Sequence, residues 1–360
     1  MHQMSSEFLL CCDVGGTNTT IALLERNGNN FHMHATRSYA SPALSGLAEA
    51  LETSLSHFSS FPSPNRCCIS SAGPIYQNNM CIPSNISWQI YANDIQKRFN
   101  FPVKIINDFT AIVYALPLLD PLNPRQLIPL PHVNGNTPAY RDNAFIAIGA
   151  GTGLGCGALL RVEDLFIPVQ SEGGHADVSS FDHISDAISQ FWRKRYHTPP
   201  GAELLVSGPG IQRIFQFFYE NGYITNKTLA SHIIHTAIDK QPELIATYAQ
   251  KDPDCQLVME YFLRFYGRAA ANMVLYFAGQ GSMFLAGGVT AKNIDLISSS
   301  FIFMESFENN YQSNLQKLLQ EIPVYLVPDY SISLYGAAHA ISISSLNIRD
   351  KKKISSFISD

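Results

Sequence analysis

Phe8-Leu9-Leu10-Cys11-Cys12-Asp13-Val14-Gly15-Gly16-Thr17-Asn18-Thr19-Thr20-Ile21-Ala22-Leu23-Leu24 is the stretch whose reading decides the fold of this chain. Its apolar run, Phe8 to Cys12, stops at Asp13, turns through Gly15 and Gly16 and resumes at Ile21, which predicts strand, glycine turn, strand. Gly15 and Gly16 can take backbone angles closed to other residues, so their amides can point into the turn, and Thr17 and Asn18 add side-chain donors. Such a turn suits a phosphate. Alone, a glycine hairpin that carries an Asp is more often only a hairpin. The pattern recurs, however. Ala144 to Ile148 is a second apolar run, broken at Gly149-Ala150-Gly151-Thr152-Gly153 and resumed through Leu154 to Leu160. Two strand-turn-strand units predict two phosphate turns, one in each half of the chain.

The composition bounds what those turns serve. A chain of 360 residues with 46% hydrophobic content is long enough for two domains, each with its own core. Charged residues make up 15%, below the ~25% usual for soluble proteins, and the formal net charge is −5. Lys and Arg are scattered, and the one dense run, Lys351 to Lys353, lies in a Ser-rich tail, so no nucleic-acid partner is expected. The seven cysteines are odd in number and never in C-x-x-C spacing, which predicts small buried hydrophobes in a reducing compartment. No run approaches the ~18 apolar residues of a membrane span, and no secretory signal precedes Phe8. A cytoplasmic protein without a membrane partner is expected.

Along the chain, Phe31 to Tyr39 alternates as a third strand, and Leu44 to Phe58 carries an apolar helical stripe. Cys67 to Ser71 is a buried strand running into Ser71-Ala72-Gly73-Pro74, and a helix follows near Ala92 to Phe99. Val103 to Ile106 is a strand that ends in Asn107-Asp108 and passes into the helical run Thr110 to Leu116. An Asp at that junction is commonly an N-cap, yet the carboxyl ends of strands are also where ligands collect in open α/β folds. On position alone both readings stand. Pro117 to Asn143, with six prolines, is the candidate interdomain connection. Glu172-Gly173-Gly174-His175 is a bent loop able to aim an acid and a His the same way. Glu203 stands four residues ahead of Ser207-Gly208-Pro209-Gly210. Pro253 to Ala278 reads as the core helix of the second half, and Met283 to Ala286 as a buried strand ending in Gly287-Gly288. Val324 to Val327 is a last strand, and Leu334 to Ile343 a last helix.

Two phosphate turns, a third Gly-Gly turn, a carboxylate at a strand end and an acid-Gly-Gly-His loop suit phosphoryl transfer. That chemistry needs donors around nucleotide phosphates, a metal to bridge them and a carboxylate to deprotonate an attacking hydroxyl. A sugar is the natural acceptor, because several Asn, Glu and His side chains can bind its ring hydroxyls.

These motifs resemble the bacterial-type glucokinase family. They are Asp13-Val14-Gly15-Gly16-Thr17-Asn18, Ser71-Ala72-Gly73-Pro74, Ile106-Asn107-Asp108-Phe109, Gly149-Ala150-Gly151-Thr152-Gly153-Leu154-Gly155, Glu172-Gly173-Gly174-His175-Ala176-Asp177, Ser207-Gly208-Pro209-Gly210 and Ala286-Gly287-Gly288. They stand in family order, with a further match at Gly336-Ala337-Ala338, and cover nearly the whole chain. The resemblance implies an α/β fold of the actin, hexokinase and Hsp70 superfamily, with two RNase-H-like domains around a central cleft. The expected division is a small domain at 1–116, with the helix from about 337 packing back on it, and a large domain at 117–336. It also implies a cytosolic homodimer that phosphorylates glucose with ATP and Mg²⁺.

By resemblance, Asn107 and Asp108 bind the sugar ring, and Asp108 is the general base for the 6-hydroxyl. Glu172, His175 and Glu203 complete the sugar contacts. Gly15, Gly16, Thr17 and Asn18 match the first phosphate loop, Gly151, Thr152 and Gly153 the second, and Gly287 and Gly288 the adenosine end. Asp13 is expected to hold water on Mg²⁺, with no protein ligand bound directly to the metal. The related ROK sugar kinases bind zinc at the corresponding His and complete that site with a Cys-rich run, which is missing here, so no zinc is expected at His175. Pro83-Ser84-Asn85-Ile86-Ser87-Trp88 departs from the family wording at the sugar wall, leaving the roles of Asn85 and Trp88 open. Two alternatives accompany this reading. One is a kinase for another hexose or donor, such as mannose, polyphosphate or ADP. The other is a non-catalytic sugar-sensing regulator, against which stand Asp108 and the short run Met1 to Glu7 ahead of the first strand.

Overall fold

The opening stretch forms strands β1 (Glu7–Val14) and β2 (Asn18–Asn27), antiparallel with Cys12 opposite Ile21, and Gly28 turns β2 into β3 (Asn30–Ala40). In this computed structural model the described residues are 6–77, 79–83, 86–163, 165–277 and 279–343, and the basic run Lys351 to Lys353 lies outside them. The chain divides into two compact units, Met1–Leu119 with Ser331–Asp360, and Asp120–Tyr330.

In the first unit, helix α1 (Leu47–His57) starts three residues later than the apolar stripe predicts. Pro42 opens a short 3₁₀ turn, Leu44 is extended, and Gly46 precedes the first helical residue, so Leu44 contributes to the core from outside the helix. Strand β4 (Arg66–Ser71) lies parallel to β1. A small antiparallel sheet of β5 (Ile75–Tyr76), β6 (Met80–Cys81) and β7 (Ile90–Tyr91) precedes helix α2 (Ala92–Phe99), which ends at a left-handed Asn100. Strand β8 (Val103–Asn107) runs directly into α3 (Asp108–Ala115). The resulting sheet has the order β3-β2-β1-β4-β8. Leu10, Cys12, Ile69 and Ile105 fill one of its faces.

Residues 333–343 are helical and pack in this unit against α3. A Cβ at Gly336 would lie 1.7 Å from the Ala111 carbonyl oxygen, and His339 Nδ1 donates to the Tyr114 carbonyl at 2.6 Å. Gly336→Ala is therefore expected to cost about 1–3 kcal/mol through backbone displacement. Thermal denaturation checks this, and an unchanged midpoint would show that the two helices separate freely.

The second unit repeats the strand plan of the first. Strand β9 (Ile128–Pro129) comes first in sequence, followed by the antiparallel series β10 (Ala144–Ala150), β11 (Leu154–Val162) and β12 (Leu165–Ser171). Beyond a helical insertion come β13 (Ser282–Ala286) and β14 (Val324–Leu326), parallel to β10, in the order β12-β11-β10-β13-β14-β9. Three antiparallel strands followed by two parallel ones is the arrangement of β3-β2-β1-β4-β8. The fold is thus α/β with two sheet-bearing units, the plan that the resemblance to the actin and hexokinase superfamily implies.

Inside the insertion, α4 (His183–Tyr196) is opened by Asp182, whose carboxylate accepts from the Ser185 amide. Helices α5 (Ala202–Leu205), α6 (Gly208–Glu220), α7 (Lys227–His235), α8 (Gln241–Tyr248) and α9 (Pro253–Tyr276) follow. Asp252 caps α9, whose Phe262, Phe265 and Tyr266 are buried. Of the proline-rich segment 117–143, the part from Asp120 belongs to this unit. It is anchored by a fully buried His132, which bonds to Glu308 Oε1 and the Ile322 carbonyl oxygen, each at 2.8 Å. All seven cysteines are buried and free. Among the described residues no helix is long and apolar enough to cross a membrane.

Candidate active site

Parallel strands β1, β4 and β8 end in register at Val14, Ser71 and Asn107, so the polar residues at those ends share one edge of the first unit's sheet. β4 separates β1 from β8, which puts the two outer strands about 10 Å apart. Asp13 lies on this edge, where its carboxylate accepts from Ser70 Oγ at 3.2 Å and from Ser333 Oγ at 2.6 Å.

The turn after Asp13 closes through the Gly15 amide donating to the Asn18 carbonyl at 2.9 Å. Buried Ser41 braces it from outside the motif. Its hydroxyl donates to the Gly15 carbonyl at 2.6 Å, and its amide to the Thr17 carbonyl at 2.9 Å. The physical reason for the glycines differs from the one read in the sequence. None of Gly15, Gly151 and Gly153 takes a left-handed backbone; a Cβ would lie 3.2 Å from the Asn18 carbonyl oxygen at Gly15 and 2.5 Å from Glu203 Oε2 at Gly153, whereas at Gly151 there is room for one.

Where β8 becomes α3, Asn107 is the cap, its Oδ1 accepting from the amides of Phe109 at 2.9 Å and Thr110 at 3.2 Å. Asp108, which the junction left open as a cap, is instead the first helical residue, with its Oδ1 2.8 Å from the Phe109 nitrogen. Burial pushes the Asp108 carboxyl above its ordinary range. The Phe109 amide opposes that shift, and the negative charge of Asp13 adds to it. A carboxylate raised in this way is a stronger proton acceptor than a solvated one.

In the second unit three backbone approaches weld the remaining motifs together. The Leu154 amide, just beyond the glycine turn between β10 and β11, donates to Glu203 Oε2 at 2.8 Å. A Cβ at Gly153 would lie 2.5 Å from that same oxygen. Gly174 abuts the turn from the other side, where a Cβ would lie 2.0 Å from the Leu154 carbonyl oxygen. A Cβ at Gly201 would meet the His175 carbonyl oxygen at 2.7 Å, and the Ala202 amide donates to the Ala176 carbonyl at 2.8 Å. Asp177 forms a bridge to Gly201, a structural role.

Ser207 continues the assembly. Its hydroxyl donates to the Glu203 carbonyl at 2.8 Å and accepts from the Gly210 amide at 3.0 Å, and the next amide, Gly208, donates to the Gly151 carbonyl at 2.8 Å. Glu172 and His175 sit at the two ends of a short 3₁₀ turn and are exposed. Burial first, and then the charges of Glu172 and Glu203, push the Cys156 thiol up to about 12.

Gly287 (φ +93°) approaches the same turn, with a Cβ placed there falling 2.4 Å from the Ala150 carbonyl oxygen. Gly288 opens α10 (Gly288–Lys292). A cavity of about 1200 Å³ lies here, its wall including Gly151, Thr152, Gly208, Gly288, Val289 and Lys292. That is ample for a nucleotide.

Asp13, the first glycine turn, Asn107 and Asp108 therefore gather at one edge of the first unit. Gly151, Thr152, Gly153, Glu172, His175, Glu203, Gly287 and Gly288 gather at one end of the second. The sequence reading missed Ser41, Ser70 and Ser333, single hydroxyls outside any motif. Trp88 is buried, with its indole N–H donating to the Ser41 carbonyl at 3.3 Å, while Asn85 lies outside the described residues. Among the described residues no group of three or more His, Cys, Asp or Glu side chains is placed to hold a metal ion directly.

Comparison with known proteins covers nearly the full length of the chain. The model of the glucokinase family matches residues 10–343. A glucokinase of Nostoc punctiforme is 28% identical over 344 residues, covering 92% of this chain and 97% of that protein. The crystal structure of a glucokinase from an Antarctic psychrotroph has a TM-score of 0.77 at 25% identity, covering 93% of this chain and 98% of the other. A glucokinase from Balamuthia mandrillaris, solved with glucose, has a TM-score of 0.74 at 17% identity over 94% of each chain.

Proposed function

The chain belongs to the glucokinase family of sugar kinases, and from that premise we propose that it transfers the γ-phosphoryl group of ATP to the 6-hydroxyl of glucose. The observation that carries the proposal is Asp108 itself, a partly buried carboxyl raised above its ordinary range at the start of α3, beside Asn107 and within reach of the charge of Asp13.

In this reading Asp108 accepts the proton of the 6-hydroxyl as that oxygen bonds to the γ-phosphorus. The bond from phosphorus to the β,γ-bridging oxygen breaks, and ADP departs with its electron pair. Asn107 orients the ring while its own Oδ1 is committed to the helix cap. Glu172, His175 and Glu203 hold the remaining hydroxyls. Amides of the glycine turns at 15–18 and 151–153, apart from those of Gly15 and Gly151, which close the turns themselves, stabilise charge on the transferring and leaving oxygens, and Gly287 and Gly288 admit the adenosine. Asp13 suits a water-mediated hold on Mg²⁺, since its carboxylate is already oriented by two hydroxyls, and the metal supplies charge neutralisation at the phosphates when bound.

A coupled assay of purified protein across glucose and mannose, each with ATP, ADP and polyphosphate, tests the proposal. Glucose with ATP is expected to give the highest kcat/KM. No turnover of that pair would overturn it, and a higher value for another pair would reassign the substrate.

A further inference from the structure

We propose that Ser333 is a positioning residue for Asp13, through which the helix at 333–343 holds that acid in place against the helix that Asp108 opens. The inference rests on the reading of Asp13 as the acid on the metal side. Ser333 is 4% exposed and donates to Asp13 Oδ2 at 2.6 Å. This is the short, charge-assisted kind of hydrogen bond, whereas the other donor to Asp13, Ser70 Oγ, stands 3.2 Å from Oδ1 and also lies 3.2 Å from the Cys12 carbonyl. Ser333 is thus the tighter hold on the carboxylate.

The helix that carries Ser333 is itself pinned at two further points. Gly336 lets it approach the Ala111 carbonyl, and His339 donates to the Tyr114 carbonyl. Ala111 and Tyr114 belong to α3, whose first residue is Asp108. One element therefore holds Asp13 by a side-chain hydrogen bond and packs on α3, the helix that Asp108 opens, through the Ala111 and Tyr114 carbonyls. Asp13 and Asp108 sense each other electrostatically, so a carboxylate released from Ser333 changes both the water it can hold and the field at the base.

A hydroxyl at the start of a helix often serves only the helix. That purely structural role predicts lost stability without a selective change in metal use. The experiment is calorimetric titration of ADP with and without Mg²⁺, and of glucose, on the wild-type protein and on S333A, S333G, S333T and D13A. The wild-type protein is expected to bind ADP more tightly with Mg²⁺. S333A and S333G are expected to lower that enhancement by about 10-fold or more, as loss of a hydrogen bond to a charged group implies, with glucose affinity within about 2-fold. S333T, which keeps the hydroxyl, retains the enhancement. D13A losing the enhancement while S333A and S333G both keep it overturns the inference. D13A keeping it overturns the assignment of Asp13 itself. If S333A fails to fold, S333G against S333T decides.

Discussion

Asp108→Asn is expected to lower turnover by about 10²-fold or more while glucose affinity stays within a few fold. The amide keeps the size and the hydrogen-bonding oxygen that faces the Phe109 amide, so the start of α3 is preserved, but it cannot take the proton of an attacking hydroxyl. The pH dependence is a second reading of the same claim. Only the ionised carboxylate is a base, so wild-type turnover falls as pH drops, along a limb centred above the ordinary carboxylate range because burial, and then Asp13, raise the Asp108 pKa. That limb disappears in the variant.

Stability moves the other way. The folded protein keeps the Asp108 proton to higher pH than the unfolded chain, whose Asp titrates near ~3.9. As pH rises from that value through the raised one, the unfolded state loses its proton first, and the folded state loses stability. At neutral pH the charged Asp108 thus costs stability, and the Asn variant is expected to melt at the wild-type temperature or above it. Near wild-type turnover in a folded variant that still binds glucose would remove Asp108 from the role of base. So would a pH profile unchanged by the substitution.

Much of this site was legible because its residues sit where the backbone changes direction. A buried strand that ends in Asn107-Asp108, or breaks at Gly149 to Gly155, marks the place in the sequence even though the reasons for individual residues come only from structure. Gly153 reads as a flexible turn residue. In the fold it leaves room for the Glu203 carboxylate, fifty residues onward, and no local pattern announces that neighbour. Asp108 shows the same limit, since strand-to-helix spacing located the pair but could not say which member caps α3. The serines were invisible for a different reason. Ser41 and Ser333 act through one hydroxyl each, across 26 and 320 residues of sequence, and a lone Ser in a loop or at a helix start carries no periodicity. Helices α7 and α8 escaped because the stretch 227–248 mixes short apolar runs with polar residues, and its helices are shorter than three turns.

Glu203→Ala is expected to damage both substrates, unlike the removal of any other sugar-side group. Proposed as a sugar contact, Glu203 also spends Oε2 on the Leu154 amide at 2.8 Å, directly behind the glycine turn proposed for the nucleotide phosphates. Truncation removes a ring contact, expected to lower kcat/KM for glucose by about 10²-fold, because a site built around sugar hydroxyls then leaves polar groups unpaired. It also strips the acceptor from a part-buried amide, worth about 1–3 kcal/mol, which lets the turn relax and raises the KM for ATP by about 10-fold. His175→Ala provides the contrast, because the described bonds of that residue run through its backbone and its side chain is exposed, so only the glucose parameters should change. Glu203→Gln separates the two roles, since its amide oxygen can still accept from Leu154 while the charge toward the sugar is lost. Its KM for ATP should therefore stay near the wild-type value as glucose use falls. An unchanged KM for ATP in Glu203→Ala would mean that the turn stands without this carboxylate, and that Gly153 and Glu203 are neighbours without energetic connection.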